Sequence, residues 1–227
     1  GGVNYILWNA KHCNDCSITT IQGNIRDTET RPLNQFFVFI RYNAAIHIVN
    51  KCKSEKNFDS IVNTRNPFGL SSNVRGEKSG ELRLISSAGI SWLPKSAVPS
   101  SNTLLSKYKI LMSKVTAEHA GEPDRNGQFK IVSRTEVVGP NDVCTDSYLI
   151  IGESEHRSVV ENEYKYIQTR FARFLLMLAV SSINLSPDKF QFVPLQDFTE
   201  DSDIDWNKPI SDIDKQLYKK YNLTKEE

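Results

Sequence analysis

The sequence predicts an α+β fold: a mixed sheet with long polar loops, packed by a long amphipathic helix and by a C-terminal helix. Short segments rich in β-branched and aromatic residues, separated by polar loops, predict the sheet in the middle of the chain. They run from Leu82 to Ile85, Ile90 to Leu93, Tyr108 to Met112, Phe129 to Val132 and Tyr148 to Ile151. An apolar stripe between Val160 and Leu178 predicts the long helix, because its members recur at helical spacing.

Both helices carry signals for where they begin. Ser158 and Glu161 form a capping-box pattern, in which the two side chains satisfy early backbone amides of the long helix. The last helix, from about Asp212 to Tyr221, has aspartates in its first turn and lysines in its last, which suits the helix dipole. Between the two helices, the run from Phe190 to Glu200 predicts a short buried strand and a proline-broken turn.

The N-terminal part predicts a hairpin followed by short elements. The β-prone runs from Val3 to Trp8 and from Ser17 to Gln22 flank the turn residues Asn14 and Asp15, so we expect them to pair. The pattern then predicts a buried strand from Phe36 to Ile40 and a short helix from Ala44 to Val49. A helical turn is expected from Phe58 to Val62, and the residues from Asn66 to Gly69 should end it.

Length and composition favour one folded domain. A chain of 227 residues, of which 10% are aromatic and 24% charged, can bury one substantial core without disulfides or metals. We expect a single domain over residues 1–227, with a possible internal boundary near residues 69–80. The start Gly1-Gly2-Val3 shows neither an initiator methionine nor a secretory leader pattern, and no apolar run is long enough for a bilayer. We therefore expect a cytoplasmic piece of a longer protein.

The cysteines leave two readings open. Cys13 and Cys16 have the spacing of metal ligands, and His12 and His47 could complete a zinc site. Because the sequence has no second cysteine pair to complete a four-ligand site, the favoured interpretation is a polar turn with reduced thiols.

The chain lacks the motifs of several enzyme classes. It contains no P-loop, no Gly-x-Ser-x-Gly elbow, and neither the glycine-rich cofactor loop nor the Asn/Asp-Pro-Pro-aromatic motif of an amino-methyltransferase. A magnesium-dependent nuclease remains an alternative, since Pro123-Asp124 and Glu163-Tyr164-Lys165 match its short motifs. Against it, such a glutamate and lysine should lie on a strand, whereas Glu163 and Lys165 fall in the predicted helix.

Basic residues in loops and on one strand are the candidate DNA contacts. A net charge of +1 gives no sign of nucleic-acid binding by itself, although a local basic face is sufficient. Lys107 and Lys109 are expected to project from one face of a strand, with Tyr108 and Ile110 facing inward. The predicted DNA-binding residues are Arg65, Arg75, Lys95, Lys107, Lys109, Lys114 and Arg134.

Several segments, in order along the chain, resemble one protein family. They are the start from Gly1 to Trp8, Tyr108 to Lys114, Val143 to Ile150, Phe171 to Leu178, Phe192 to Glu200, Ile204 to Trp206 and Asp214 to Tyr218. In this order they resemble the C-terminal target-recognition domain of Eco57I-like (TaqI-like) adenine-specific DNA methyltransferases from bacterial restriction-modification systems.

The resemblance implies a function but no catalytic residue. It implies that the chain recognises a site in double-stranded DNA beside an N-terminal catalytic domain of the same polypeptide. That domain would bind S-adenosylmethionine and methylate a flipped adenine at N6, so no cofactor is expected in this chain. Whether the parent protein also cleaves DNA stays open. The rival functions are the magnesium-dependent endonuclease and a protein-interaction module that docks the catalytic subunit.

Overall fold

A computed structural model describes residues 5–63, 66–116, 124–180, 182–225 and 227. The strands are β1 (Cys16–Gln22), β2 (Ile25–Arg31), β3 (Leu82–Ser86), β4 (Gly89–Leu93), β5 (Tyr108–Ser113), β6 (Thr135–Val138), β7 (Asp142–Cys144) and β8 (Tyr148–Ser154). The α-helices are α1 (Asn43–Lys51), α2 (Arg157–Gln168), α3 (Arg170–Ala179) and α4 (Ile210–Lys220). Short 3-10 helices cover Phe58–Ile61, Lys95–Ala97, Thr103–Ser106 and Pro187–Phe190. The predicted α+β class is confirmed.

Two three-stranded sheets form the centre of the fold. Their strand orders are β4-β3-β7, with β3 and β7 parallel, and β6-β5-β8, which is antiparallel throughout. Alternate residues of β5 enter different cores: Ile110 and Met112 pack with the helices, whereas Leu111 packs with β3 and β7. The central strand β5 is therefore buried on both faces. The boundary expected near residues 69–80 stays a prediction.

An aromatic cluster fixes the C-terminal part of the chain. Tyr166 of α2 lies within 6.0 Å, centroid to centroid, of the rings of Phe58, Phe198 and Trp206. Its hydroxyl donates to the carbonyl oxygen of Pro194 at 2.8 Å. The run predicted as a buried strand is thus buried, but the prediction of strand structure was wrong. Its aromatic side chains fill the core from a 3-10 turn and a loop.

The long helix predicted from Val160 to Leu178 is two helices. Thr169 adopts an extended ψ of 152°, which ends α2, and its side chain accepts from the Ala172 N–H to cap α3. Asp214 of α4 also accepts from the N–H groups of Arg170 and Phe171, both at 3.0 Å. These carboxylate bonds stabilise a helix start in the middle of a continuous apolar stripe.

The predicted capping box at Ser158 and Glu161 was also wrong. Helix α2 begins at Arg157, and its N-cap is His156, two residues before Ser158, with no side-chain cap bond. Glu161 instead accepts from Arg157 at 2.8 Å, a pairing between residues four apart. The final helix was predicted to within two residues at each end, and α4 keeps its acidic first turn and basic last turn.

One strand of the predicted N-terminal hairpin is confirmed, because β1 covers the run from Ser17 to Gln22, but its partner is β2 and not the predicted run. β1 pairs with β2 through the two-residue loop Gly23-Asn24, in which Gly23 has a φ of +57°. Residues 5–8 form no strand, and Val3 and Asn4 lie outside the described residues. The strand predicted at Phe36 to Ile40 is absent as well, and Phe37 is fully exposed while Ile40 is fully buried.

The strand predicted at Phe129 to Val132 is a loop, and β6 lies at Thr135–Val138 instead. Ile131 is buried in the helical core, so this apolar run contributes packing without pairing. The other predicted central strands are confirmed. None of the helices in the part of the chain described here is long and apolar enough to span a bilayer.

Glu163 of α2 is buried with little compensation. It is 6% exposed, and within the described ranges its Oε2 has no hydrogen-bond partner. The carboxylate lies against Gly152 of β8, at the point where a bulge interrupts the pairing of β8 with β5. Burial raises the pKa of the Glu163 carboxyl from 4.5 to about 7.

We expect stability to fall as the pH rises from 4.5 to 7, because over that window the folded protein holds a proton on Glu163 that the unfolded chain releases. The stabilisation from this bound proton is fully present below pH 4.5. It is lost as the pH rises through the folded-state pKa, which lowers the free energy of unfolding by roughly 2–3 kcal/mol. Glu163→Gln should remove this slope. Urea unfolding of both proteins at pH 5 and pH 8 measures it, and an equal loss of stability in both would contradict the assignment.

Candidate nucleic-acid interface

Two of the predicted DNA contacts come together at one end of the β6-β5-β8 sheet. There β5 ends, while β6 and β8 begin, so Lys114, Arg134 and Tyr148 are neighbours. The Ser113 N–H donates to the Arg134 carbonyl oxygen at 2.9 Å, and the Lys114 N–H donates to that of Ser147 at 3.1 Å. We call this group, Lys114, Arg134 and Tyr148, the Arg134 end of the sheet.

The guanidinium of Arg134 is held on two sides but remains accessible. One terminal nitrogen donates to the Tyr148 hydroxyl at 3.2 Å, and the other donates to Glu136 at 2.6 Å. Its carbon lies 5.7 Å from the centre of the Tyr148 ring, and the side chain is 44% exposed. A guanidinium has five N–H groups, so these two bonds leave donors for a further acceptor.

The support for Arg134 extends into the second sheet. The Tyr148 hydroxyl donates to the carbonyl oxygen of Ser86, the last residue of β3. The β3-β4 turn that follows exposes Ser87 and Ala88, and Ile90 of β4 is 58% exposed. Tyr148, Glu136 and this turn were not among the predicted site residues, because misplacing β6 concealed which side chains flank Arg134.

Lys114 is largely enclosed. It forms an ion pair with Asp146, and the two side chains are only 17% and 18% exposed. Its carbonyl oxygen accepts from the Leu185 N–H at 2.7 Å. Lys114 and Asp146 therefore connect β5 with the β7-β8 turn, and their charges balance. Since Glu136 likewise balances Arg134, this end of the sheet offers directed hydrogen-bond donors more than net positive charge.

Lys109 is wrongly predicted as a surface contact. It is fully buried, and its Nζ donates to the carbonyl oxygens of Leu104, Lys107 and Gly139 at 2.9, 3.0 and 2.9 Å. The prediction assumed that one face of β5 is exposed to solvent. Because the second sheet covers that face, Lys109 is buried. Burial lowers the pKa of its ammonium to about 8, while Asp142 acts in the opposite direction.

Lys107 precedes β5 and lies at the other end of the sheet, paired with the exposed Glu155 at 2.9 Å. Lys95 is exposed, and its backbone N–H donates to Glu81. Arg75 is exposed and donates to the carbonyl oxygens of its own turn. Arg65 lies outside the described residues. The predicted residues therefore do not form a single basic face.

The residues that matched the nuclease motifs have separate structural roles. Asp124 accepts from the N–H groups of Asn126 and Gln128, which lower its pKa and order a turn. Glu163 and Lys165 lie in α2, as predicted, and Lys165 donates to the carbonyl oxygen of Trp206 at 2.7 Å. Pro123 lies outside the described residues.

The cysteines of the proposed zinc site are free thiols in the structure. Cys13 is exposed and Cys16 half-buried, and the His12 ring is within 3.0 Å of the carbonyl oxygen of Asp15. Over the residues described, no group of three or more histidine, cysteine, aspartate or glutamate side chains is arranged to hold a metal ion.

No protein-family model matches the chain, and neither a curated protein nor a solved structure is significantly similar to it.

Proposed function

We propose that this chain is a DNA target-recognition domain that serves a site-specific adenine-N6 methyltransferase or a combined restriction-modification enzyme. The catalytic partner, an N-terminal methyltransferase domain of the same polypeptide, would bind S-adenosylmethionine. The proposal rests on the ordered sequence resemblance and on one observation in particular. Arg134 is an exposed guanidinium held by Tyr148 and Glu136 at the end of the β6-β5-β8 sheet.

This geometry suits base reading because a reading arginine gains specificity when its fork is held in one orientation. The guanidinium can donate two parallel hydrogen bonds to O6 and N7 of guanine in the major groove. Its neighbours Tyr148 and Glu136 restrict its rotation before DNA arrives, which reduces the entropy lost on binding. The exposed β3-β4 turn beside it could contact the duplex at the same time.

Nearby Lys114 takes a different role in this proposal. Since Asp146 neutralises it, Lys114 would position the strand ends, and phosphate attraction would come from scattered exposed cations such as Lys95 and Arg75. We therefore expect a modest salt dependence of binding, because few phosphates are neutralised.

Arg134→Ala should lower affinity for the preferred duplex by about tenfold to a hundredfold and relax the preference at one base pair. The preferred duplex is first selected from a randomised pool. Fluorescence anisotropy across a salt series then measures affinity and its salt slope, which should change by about one or less. Arg157→Ala is the matched control, since Arg157 is also an exposed arginine paired with a glutamate, but on α2.

Two results would overturn the proposal. The first is the absence of DNA binding at low salt, and the second is equal specificity in the Arg134→Ala and Arg157→Ala proteins. Unfolding curves of both variants must match that of the wild type, so that a lost affinity reports on the interface.

A protein-interaction role has support of its own in the N-terminal residues. Of the thirteen large apolar side chains that are exposed in the described residues, nine lie between Tyr5 and Phe39. Tyr5, Ile6 and Leu7 are each at least 89% exposed, and β1 and β2 form an isolated two-stranded sheet. Such a concentration of apolar surface is typical of a protein-binding site. If DNA does not bind, docking of a catalytic subunit on residues 5–39 is the function that remains.

A further inference from the structure

A cavity of about 840 Å³ lies between α1, α3, α4 and the residues that follow α4. Small-molecule sites usually enclose roughly 300–1,000 Å³ and have mainly apolar and aromatic walls. Here the rings of Phe171, Phe174 and Tyr218 line the cavity together with Ile48 and Leu223. Phe171 is itself fixed by stacking on Tyr221 at 5.0 Å, so part of the aromatic wall is preorganised.

The charged residues of the cavity are mostly basic. Among the residues that the structure describes, Arg170, Lys215, Lys219 and Lys225 line it together with one carboxylate, that of Glu227. Glu227 already pairs with Lys51 at 2.6 Å, and Lys215 pairs with Asp212 at 2.7 Å. The other three cations form no ion pair with any residue that the structure describes.

The carboxylate of Asp214 lies beside this wall, where it forms a hydrogen bond with Tyr218. Asp214 is 5% exposed, and its two oxygens accept from the N–H groups of Arg170 and Phe171 at the start of α3. It therefore serves the helix start and does not form an ion pair with the Arg170 side chain. Among the described lining residues, cations therefore outnumber carboxylates, which favours an anionic ligand.

The C-terminal residues that line the cavity are attached to α1. Lys51 of α1 donates to the carbonyl oxygen of Asn222 at 3.0 Å as well as to Glu227. These two bonds attach the C-terminal residues to α1, so the cavity has walls from four parts of the chain. Walls from several parts of the chain favour a compact ligand.

We propose that this cavity binds a nucleotide, with the base against Phe174 and Tyr218 and the phosphates near Arg170 and Lys219. A nucleotide has both an aromatic base, which suits the rings of the cavity, and phosphates, which suit its cations. Any of the nucleic-acid bases can stack on an aromatic ring, and phosphate oxygens accept charge-assisted hydrogen bonds from arginine and lysine. The proposal goes beyond DNA recognition and uses none of the residues of the Arg134 end.

The test is isothermal titration of the whole chain with ADP, adenosine and pyrophosphate in separate experiments. ADP should bind roughly tenfold or more tightly than either of the other two, because only ADP meets both the rings and the cations. Added salt should weaken ADP and pyrophosphate but have little effect on adenosine, since screening acts on charge.

Variants separate the two halves of the site. Replacing Arg170 and Lys219 together by alanine should weaken ADP and pyrophosphate by roughly tenfold and leave adenosine unchanged. Phe174→Leu keeps an apolar side chain, so it should weaken ADP and adenosine and spare pyrophosphate. The control replaces Arg157 and Lys208 by alanine, which removes the same charge from exposed ion pairs outside the cavity.

Several outcomes would overturn the proposal that the cavity binds a nucleotide. They are the absence of ADP binding at millimolar concentration, equal ADP affinity in the Arg170/Lys219 and control variants, and pyrophosphate binding as tight as ADP. Binding of a glutamate-rich amphipathic peptide without ADP binding would assign the cavity to a protein partner instead. Failure here leaves the DNA proposal standing, because that proposal is tested through Arg134.

Discussion

Replacing Lys109 by alanine should destabilise the protein by about 3–5 kcal/mol, whereas replacing Lys107 should cost less than about 1 kcal/mol. The two lysines are two positions apart, yet Lys109 is fully buried and Lys107 pairs with an exposed glutamate. Lys109→Ala removes the packed stem and leaves three carbonyl oxygens without their ammonium donor. Urea unfolding at pH 7 measures both variants.

Lys109→Met divides this cost between packing and hydrogen bonding. Methionine restores most of the stem volume beside Phe68 but donates no hydrogen bonds, so we expect an intermediate loss of about 2 kcal/mol. If Lys109→Ala left stability unchanged and weakened DNA binding instead, the burial of Lys109 would be wrong and the surface role expected from the sequence would return.

Replacing Gly152 by alanine should destabilise the protein by about 3 kcal/mol or more, for two reasons that add. Gly152 has a φ of +61°, where a side chain costs about 1 kcal/mol. An added Cβ would also overlap Oε2 of Glu163 and lie 2.6 Å from its Cδ. The Glu163 carboxylate would have to leave its buried position.

A double-mutant cycle with Glu163→Ala separates the two causes. In that background the Gly152→Ala cost should fall to the backbone contribution of about 1 kcal/mol. Gly127→Ala is the matched control, because Gly127 has a φ of +74° and a Cβ there would meet nothing within 4 Å. Additive costs in the cycle, with no coupling between Gly152 and Glu163, would disprove the contact.

The strands and the final helix were predictable because their signals are local. β3, β4, β5 and β8 contain short β-prone runs between polar turns, and α4 carries its own apolar stripe and terminal charges. β6 was missed because Phe129 to Val132 is the more apolar run, but pairing with β5 occurs at Thr135–Val138. The apolar content of a segment predicts burial more reliably than it predicts hydrogen bonding.

The candidate interface was predicted only in part. Arg134 and Lys114 were identified as basic residues in loops, but sequence separation concealed that Tyr148 lies beside Arg134 and Asp146 beside Lys114. The cavity between α1, α3 and α4 was not predicted, because its lining residues come from three separate parts of the chain, at Ile48, at 170–174 and at 215–227.

By itself, the sequence determined the α+β class, the central strands and the terminal helix, since each depends on residues that are close in the chain. Only the tertiary structure decided that Lys109 is buried, that the long helix breaks at Thr169 and that Arg134 is held in place. Each of these depends on a second element that covers or bonds the first: the β3 sheet over β5, Asp214 at the start of α3, and Tyr148 beneath Arg134. The free energy of such long-range contacts overrides local preference, and a local pattern does not encode it.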